Sequence, residues 1–122
     1  MAREILFRGK RVIDGKWAES CCPLGEMHSG TVTYDFDSKT VCQYTGYADM
    51  RKKKVFENDI VFYEDGGCYG HIVFKEGQFL IEWQESRPDL RSDIHFWFTK
   101  RRLYIVGNVF DNPELLKEDD AE

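Results

Sequence analysis

Residues 55–83, VFENDIVFYEDGGCYGHIVFKEGQFLIEW, constrain the fold more than any other stretch of the chain. Asp59-Ile60-Val61-Phe62-Tyr63 is β-branched and aromatic, which suits a pleated, buried strand. Glu64-Asp65-Gly66-Gly67 breaks it with residues that tolerate positive φ. Residues 69–75 run extended again, and Glu76-Gly77 offers a second tight turn. From Gln78 onward Phe79, Ile81 and Trp83 face one way while Leu80, Glu82 and Gln84 face the other. That period of two marks a half-buried strand. Three antiparallel strands on short connections make a meander, which needs a partner layer or closure to hide its apolar face.

The 122 residues suffice for one core and leave little room for a second full domain. Aromatic residues make up 15% of the chain, and their preference for strands and large buried area favours an all-β core over a helical one.

Before the meander, residues 4–8 read as a strand that Gly9 interrupts with a bulge or a close backbone approach. Val12-Ile13 leads into Asp14-Gly15, a two-residue hairpin turn, and Lys16-Trp17-Ala18 returns. Residues 20–30 are rich in turn formers, lack a clean period and read as a variable loop. Residues 31–36 and 39–44 read as a second hairpin turned at Asp37-Ser38, with a charged connection over 49–54. After the meander, residues 85–91 contain Pro88 and cannot continue a central strand.

Ile94, Phe96 and Phe98 alternate with His95, Trp97 and Thr99 as another strand, and residues 103–110 form the last. Asp111-Asn112-Pro113-Glu114 then sets up a capped helical turn that Leu115 and Leu116 dock, ahead of an acidic tail over 117–122.

The expected fold is therefore mainly β, a single domain with N-terminal β-hairpins over 1–54 and a short C-terminal helical turn. Strands near 59–64, 69–75, 78–84, 94–98 and 103–110 have the number and spacing of a small five-stranded, SH3-like barrel within residues 55–112. An open curled sheet fits them equally well.

Four sequence blocks in order resemble the YopX family, small proteins of phages and prophage regions. They are Ile5-Leu6-Phe7-Arg8-Gly9-Lys10-Arg11 with Gly15-Lys16-Trp17, then Gln43-Tyr44-Thr45-Gly46, then Phe56-Glu57-Asn58-Asp59-Ile60-Val61, and finally residues 106–116. Asn58 stands where the family usually has Gly. Asn is the next best residue for positive φ, so the turn is expected to survive. Met50-Arg51-Lys52-Lys53-Lys54 replaces the family's Asn-Gly type turn, which implies a looser or longer hairpin. The resemblance implies a mainly β fold and a mobile-element origin in a bacterial cytoplasm. It implies no activity.

The net charge of −5 disfavours nucleic acid or an anionic membrane as a global partner. Four acids and one lysine fall in residues 117–122, so the body is closer to balance. Arg51, Lys52, Lys53 and Lys54, together with Lys100, Arg101 and Arg102, nevertheless form local basic clusters, and Arg8, Lys10 and Arg11 form a third. On one face they could bind phosphates, with Trp97 or Tyr104 stacking on a base. The bland alternative is solvated loop charge that blunts sheet edges.

Cys21, Cys22, Cys42 and Cys68 form no CxxC motif, and His28, His71 and His95 are not spaced with them as zinc ligands. Reduced, mostly buried thiols, no metal and no cofactor are expected. A charged N-terminus without an apolar core region and no long apolar run point to a cytoplasmic protein with no membrane partner. Cys68 near His71 suggests nucleophilic chemistry only weakly, since no oxyanion-type glycine motif accompanies the pair.

Asn108, inside an apolar strand, is expected to bond backbone across a bulge. The leading expectation is a non-enzymatic interaction domain that binds another protein or itself through a sheet edge or an aromatic patch. The alternative is a small nucleic-acid-binding barrel.

Overall fold

A computed structural model describes residues 4–20, 26–29, 32–84, 90–100 and 103–116. Among these, the first sheet has the order β2-β1-β5-β6, built from β1 (Phe7–Lys10), β2 (Trp17–Ser20), β5 (Cys42–Ala48) and β6 (Lys54–Phe56). The second has the order β10-β7-β8-β9, from β7 (Asp59–Tyr63), β8 (Cys68–Lys75), β9 (Gln78–Trp83) and β10 (Leu103–Asn108). A two-stranded ribbon pairs β3 (Glu26–Ser29) with β4 (Val32–Asp35). All pairings are antiparallel.

The meander expected over residues 55–83 is present as β7-β8-β9, with Ile72 opposite Ile81 and Val61 opposite Gly70. The barrel is not: the sheets do not close. The fifth strand it needed, near 94–98, is instead helix α1 (Ile94–Lys100). The Asp93 carboxylate accepts a hydrogen bond from the His95 N–H at 3.0 Å, an N-capping geometry. Ile94 and Trp97, three residues apart on one helical face, are the buried pair. The alternation of Ile94, Phe96 and Phe98 mimicked a strand because a short apolar run does not by itself separate the two periods.

With its helix in place the second sheet has a lid. Ile94 and Trp97 join Val61, Ile72, Ile81, Leu103, Ile105 and Val55 in one buried cluster. Trp97 packs against Tyr63, Trp83 and Phe96 with ring centroids 4.8 to 5.2 Å apart, and its indole N–H donates to the Arg91 carbonyl. Val55 comes from β6, so the first sheet contributes to the core of the second. The sheet boundary accordingly falls after Phe56.

Two further expectations shift. The β1–β2 turn is longer than Asp14-Gly15. Arg11 N–H donates to the Lys16 carbonyl and Gly15 N–H to the Arg11 carbonyl, which places Val12 and Ile13 in the turn rather than in the strand. Residues 31–36 and 39–44 are not hairpin partners either. β4 pairs with β3, inside the segment expected to be an irregular loop, while Ser38–Thr40 forms a 3-10 turn capped by Asp37. After that turn β5 pairs with β1 and β6.

The basic connection between β5 and β6 is tighter than its composition suggested. Buried Asp49 accepts hydrogen bonds from the Arg51 and Lys53 N–H groups on one carboxylate oxygen and from Ile105 N–H on the other, at 2.9, 2.9 and 3.0 Å. Lys52 takes the left-handed conformation, φ 67°, that lets the loop close. Met50 N–H donates to the Leu103 carbonyl, so the loop lies along the outer edge of β10 and satisfies it.

Asp49→Ala should cost about 2–4 kcal/mol, since three backbone donors lose their acceptor. Asp49→Asn should cost clearly less, because the amide oxygen still serves Arg51 and Lys53 while its NH2 faces the Ile105 N–H. Urea midpoints of the two variants check both the size and the order.

Candidate functional site

Three groups of side chains could carry a function: the basic clusters, a polar seam between the sheets, and a small cleft of mixed polarity.

The N-terminal basic cluster is consumed internally. Arg8 donates to Asp59 at 2.5 Å, with its guanidinium 4.8 Å from the Trp17 ring and 4.6 Å from the Phe56 ring. Asp59, 1% exposed, also accepts from the Phe56 N–H at 2.7 Å. Arg8 Nε is buried without a hydrogen-bond partner among the described residues, so this cation is held by one carboxylate and two aromatic faces. Lys10 pairs with Asp111, and Arg11 with Asp14.

Asp111 also receives the Trp17 indole N–H at 2.8 Å and the Asn108 amide at 3.1 Å, while Trp17 packs on Phe110. Asn108 does bond backbone as expected: its oxygen accepts from the Phe110 and Asp111 N–H groups. It follows a bulge between Ile105 and Gly107. A side chain at Gly107 would meet Asn112 Oδ1 at 2.3 Å and push the Asn112 side chain out of its place. Asn58 adopts the expected positive φ, 71°, and its N–H and carbonyl tie β8 to Val109. The blocks that looked separate in the sequence thus meet in space, joining β1, β2, β7 and the turn after β10.

The remaining basic residues divide. Arg51 donates to the Ile105 carbonyl at 2.8 Å and lies 5.0 Å from the Tyr104 ring. Lys54 pairs with Glu4 at 3.0 Å, whereas Lys52 and Lys53 are exposed loop residues. Arg101, Arg102 and the Lys100 side chain lie outside the described residues. Trp97, expected as a stacking platform, is 3% exposed and lies within the core, so it presents no face to a base.

Cys68 and His71 sit on opposite faces of β8, Cys68 inward and His71 outward beside Glu82, so they form no dyad. Burial lowers the His71 pKa, opposed by Glu82. Burial likewise pushes the Cys42 thiol up, away from a reactive thiolate. Among the described residues no three His, Cys, Asp or Glu side chains cluster as metal ligands would, and no helix is long and apolar enough to cross a membrane.

The cleft, of about 70 Å³, is lined by Glu4, Ile5, Gln43, Tyr44, Thr45, Gly46 and Phe79. It bridges the two sheets, since Gln43 to Gly46 belong to β5 and Phe79 to β9. Phe79 stacks edge-on against Phe74 at 5.0 Å, extending the apolar surface onto β8. Ile5 is 51% and Phe74 50% exposed. Sequence reasoning missed this site, because its walls are thirty to seventy residues apart and only sheet topology brings them together. The alternation of β8 gave no signal for it, since Phe74 shares the phase of buried Cys68, Gly70 and Ile72 and is exposed only near the strand's end.

The seam makes two predictions. Arg8→Met should cost about 3–5 kcal/mol by leaving Asp59 buried and unpaired, and Arg8→Met/Asp59→Asn should recover much of it. Denaturant titration of the single and double variants tests this.

The second concerns acid. Hydrogen bonds from Lys10, Trp17 and Asn108 hold Asp111 down at about 2, below its ordinary 3.8. A depressed carboxylate contributes stability above its unfolded pKa, and that contribution is lost as pH falls through the folded value. Burial raises Asp59 despite Arg8, so its contribution runs the other way, present at low pH and lost as pH rises. Asp111→Asn should therefore flatten the loss of stability between about pH 4 and about pH 2, read from urea midpoints across that range.

A search of curated proteins finds no match to this chain. Among solved structures, the crystal structure of protein EF1440 from Enterococcus faecalis is similar, with a TM-score of 0.61 and 19% identity. That match covers 95% of this chain and 100% of the other, and it supports the fold alone. The family described as YopX protein matches residues 8–117, a span that holds the ion-paired seam and both sheets. The chain belongs to the YopX family.

Proposed function

We propose that the protein is a non-enzymatic interaction domain, an accessory protein of a phage or prophage that works in the bacterial cytoplasm by holding another protein chain. The observation that carries this reading is the apolar patch of Ile5, Phe79 and Phe74 around the cleft, held open on two rigid sheets. Large apolar side chains kept half exposed next to a concavity are the usual mark of a docking surface.

Main-chain addition at the edges of the second sheet is less favoured. β10 is covered by the 49–51 loop, and β9 by Ser92 and Asp93, through the Ile81 N–H to Ser92 carbonyl bond and the Leu80–Asp93 bridge. Docking through side chains is the route these edges leave.

A photo-crosslinking residue at Phe74 should give a discrete protein adduct in cells, while the same residue at exposed Glu64, on the β7–β8 turn, should give none. Equal labelling from both positions would remove the patch from consideration.

One observation favours nucleic acid as a second reading. The bond from Met50 to Leu103 brings the exposed Lys52-Lys53 loop beside the chain that follows α1, where the second basic cluster lies in sequence. Against it, Arg8, Lys10 and Arg11 are each neutralised by a carboxylate of the same chain. The interaction-domain reading expects no binding of a labelled single-stranded oligonucleotide between about 50 and about 200 mM salt, measured by anisotropy. Salt-sensitive binding lost in Lys52→Ser/Lys53→Ser would install the second reading instead.

A further inference from the structure

The molecule carries a concave feature of mixed polarity, with apolar walls in Ile5, Tyr44 and Phe79, and a convex apolar one. The concave one is the cleft. The convex one is the β1–β2 turn, where Val12 is 66% and Ile13 81% exposed, the latter the most exposed large hydrophobic side chain among the described residues.

This turn is not a floppy tip. Arg11 donates from Nε and Nη2 to the two Asp14 carboxylate oxygens, and Asp14 accepts the Lys16 N–H at 3.0 Å. Gly15 takes φ 70°, and its N–H closes on the Arg11 carbonyl at 2.7 Å. Val12 N–H is bonded to the Asp35 carbonyl, which ties the turn to β4 as well. A turn braced this thoroughly around two solvent-facing β-branched residues presents them as a knob. A turn selected only for solubility would carry polar residues at those two places.

The two features sit at opposite ends of the same strand. Ile5 of the cleft precedes β1, with the Leu6 carbonyl already bonded to the Tyr44 N–H, while Val12 and Ile13 follow β1. Seven residues of nearly extended chain separate them, on the order of 20 Å. The knob of one copy therefore cannot reach its own cleft, but it can reach a neighbour's.

Charge agrees with the match. Lys16 is exposed beside the knob, and Glu4, 53% exposed at its side chain, stands at the cleft rim in a surface pair with Lys54 that exchanges partners at little cost. Resting on the reading of the cleft as a docking surface, we infer that its occupant is a second copy of this chain, with the Val12-Ile13 turn of one molecule seated between Ile5, Tyr44 and Phe79 of the next.

A contact between two different surfaces of identical chains is heterologous. It propagates head to tail, into a ring if the rotation closes and an open chain if it does not. One aliphatic side chain seated per contact makes the association weak, and the net charge of −5 per molecule opposes it at long range. At about 0.15 M salt that repulsion is screened beyond about 8 Å, so the contact is best sought at that ionic strength and high protein concentration.

Sedimentation equilibrium of the full chain from about 10 μM to about 1 mM provides the test. The mean mass of the wild type should rise steadily with concentration. Ile13→Asp and Ile5→Asp alter exposed side chains on the knob and the cleft respectively, and each should hold the monomer mass throughout, with its urea midpoint unchanged. Mixed one to one, the two variants should form a pair and stop there. The intact cleft of Ile13→Asp takes the intact knob of Ile5→Asp, and the two surfaces left over are the disabled ones.

A wild type that stays monomeric overturns the inference, as does continued association of either variant or failure of the mixture to pair. If the wild type is monomeric while the Phe74 crosslink still captures a different protein, the inference falls and the docking reading stands. If Phe74 gives no adduct either, both fall.

Discussion

The buried pair of Arg8 and Asp59 is the constraint on which the relation between the sheets depends. Arg8 lies on β1 and Asp59 opens β7, so one ion pair ties the central strand of the first sheet to an inner strand of the second. Taking both charges from water is costly, and the raised pKa of Asp59 shows that burial outweighs the attraction of Arg8 at that carboxylate. What the pair contributes is registry. Only one placement of β1 over β7 puts a guanidinium against Asp59 and between Trp17 and Phe56, and every other placement leaves a charge without compensation. The Asp111 network then fixes the far end of the same seam at lower cost, being partly solvated.

Local periodicity carried the central meander from sequence to structure, because β7, β8 and β9 are each long enough to show their alternation and are joined by glycine turns. It failed where an apolar run was short. Residues 94–98 satisfy a strand pattern and a helix pattern alike, and the deciding signal was the Asp93 cap one residue before the run. Asn58 and Asn108 were legible for a different reason: an amide in an apolar context has few ways of being satisfied, so its role follows from chemistry alone.

The candidate site was far less legible. The three basic clusters look alike in sequence, yet one is bound into ion pairs, one frames a loop held by Asp49, and one lies outside the described residues. Distant carboxylates settle the first, Asp59 standing 51 residues from Arg8 and Asp111 101 residues from Lys10. Trp97 shows the same limit. An aromatic residue beside a basic run suggests stacking on a base, but the helix turns it into the core.

The internal use of charge bears on what the surface can do. In a small two-sheet protein, cations spent on holding the sheets together are withdrawn from recognition, and aromatic residues spent on Arg8 are withdrawn as well. Large apolar side chains that the two cores do not require stay exposed: Ile5 and Phe74 around the cleft, Val12 and Ile13 on the β1–β2 turn, Met50 in the β5–β6 loop and Val106 on β10. Phe74 shares the inward phase of Cys68, Gly70 and Ile72 and is exposed because β8 runs past the core there, while Ile5 precedes β1 and Val12 and Ile13 sit in the turn after it. Because Arg8 and Asp59 set the first sheet against the second, the ion pair that aligns the sheets also sets Ile5 and β5 beside Phe79 of β9.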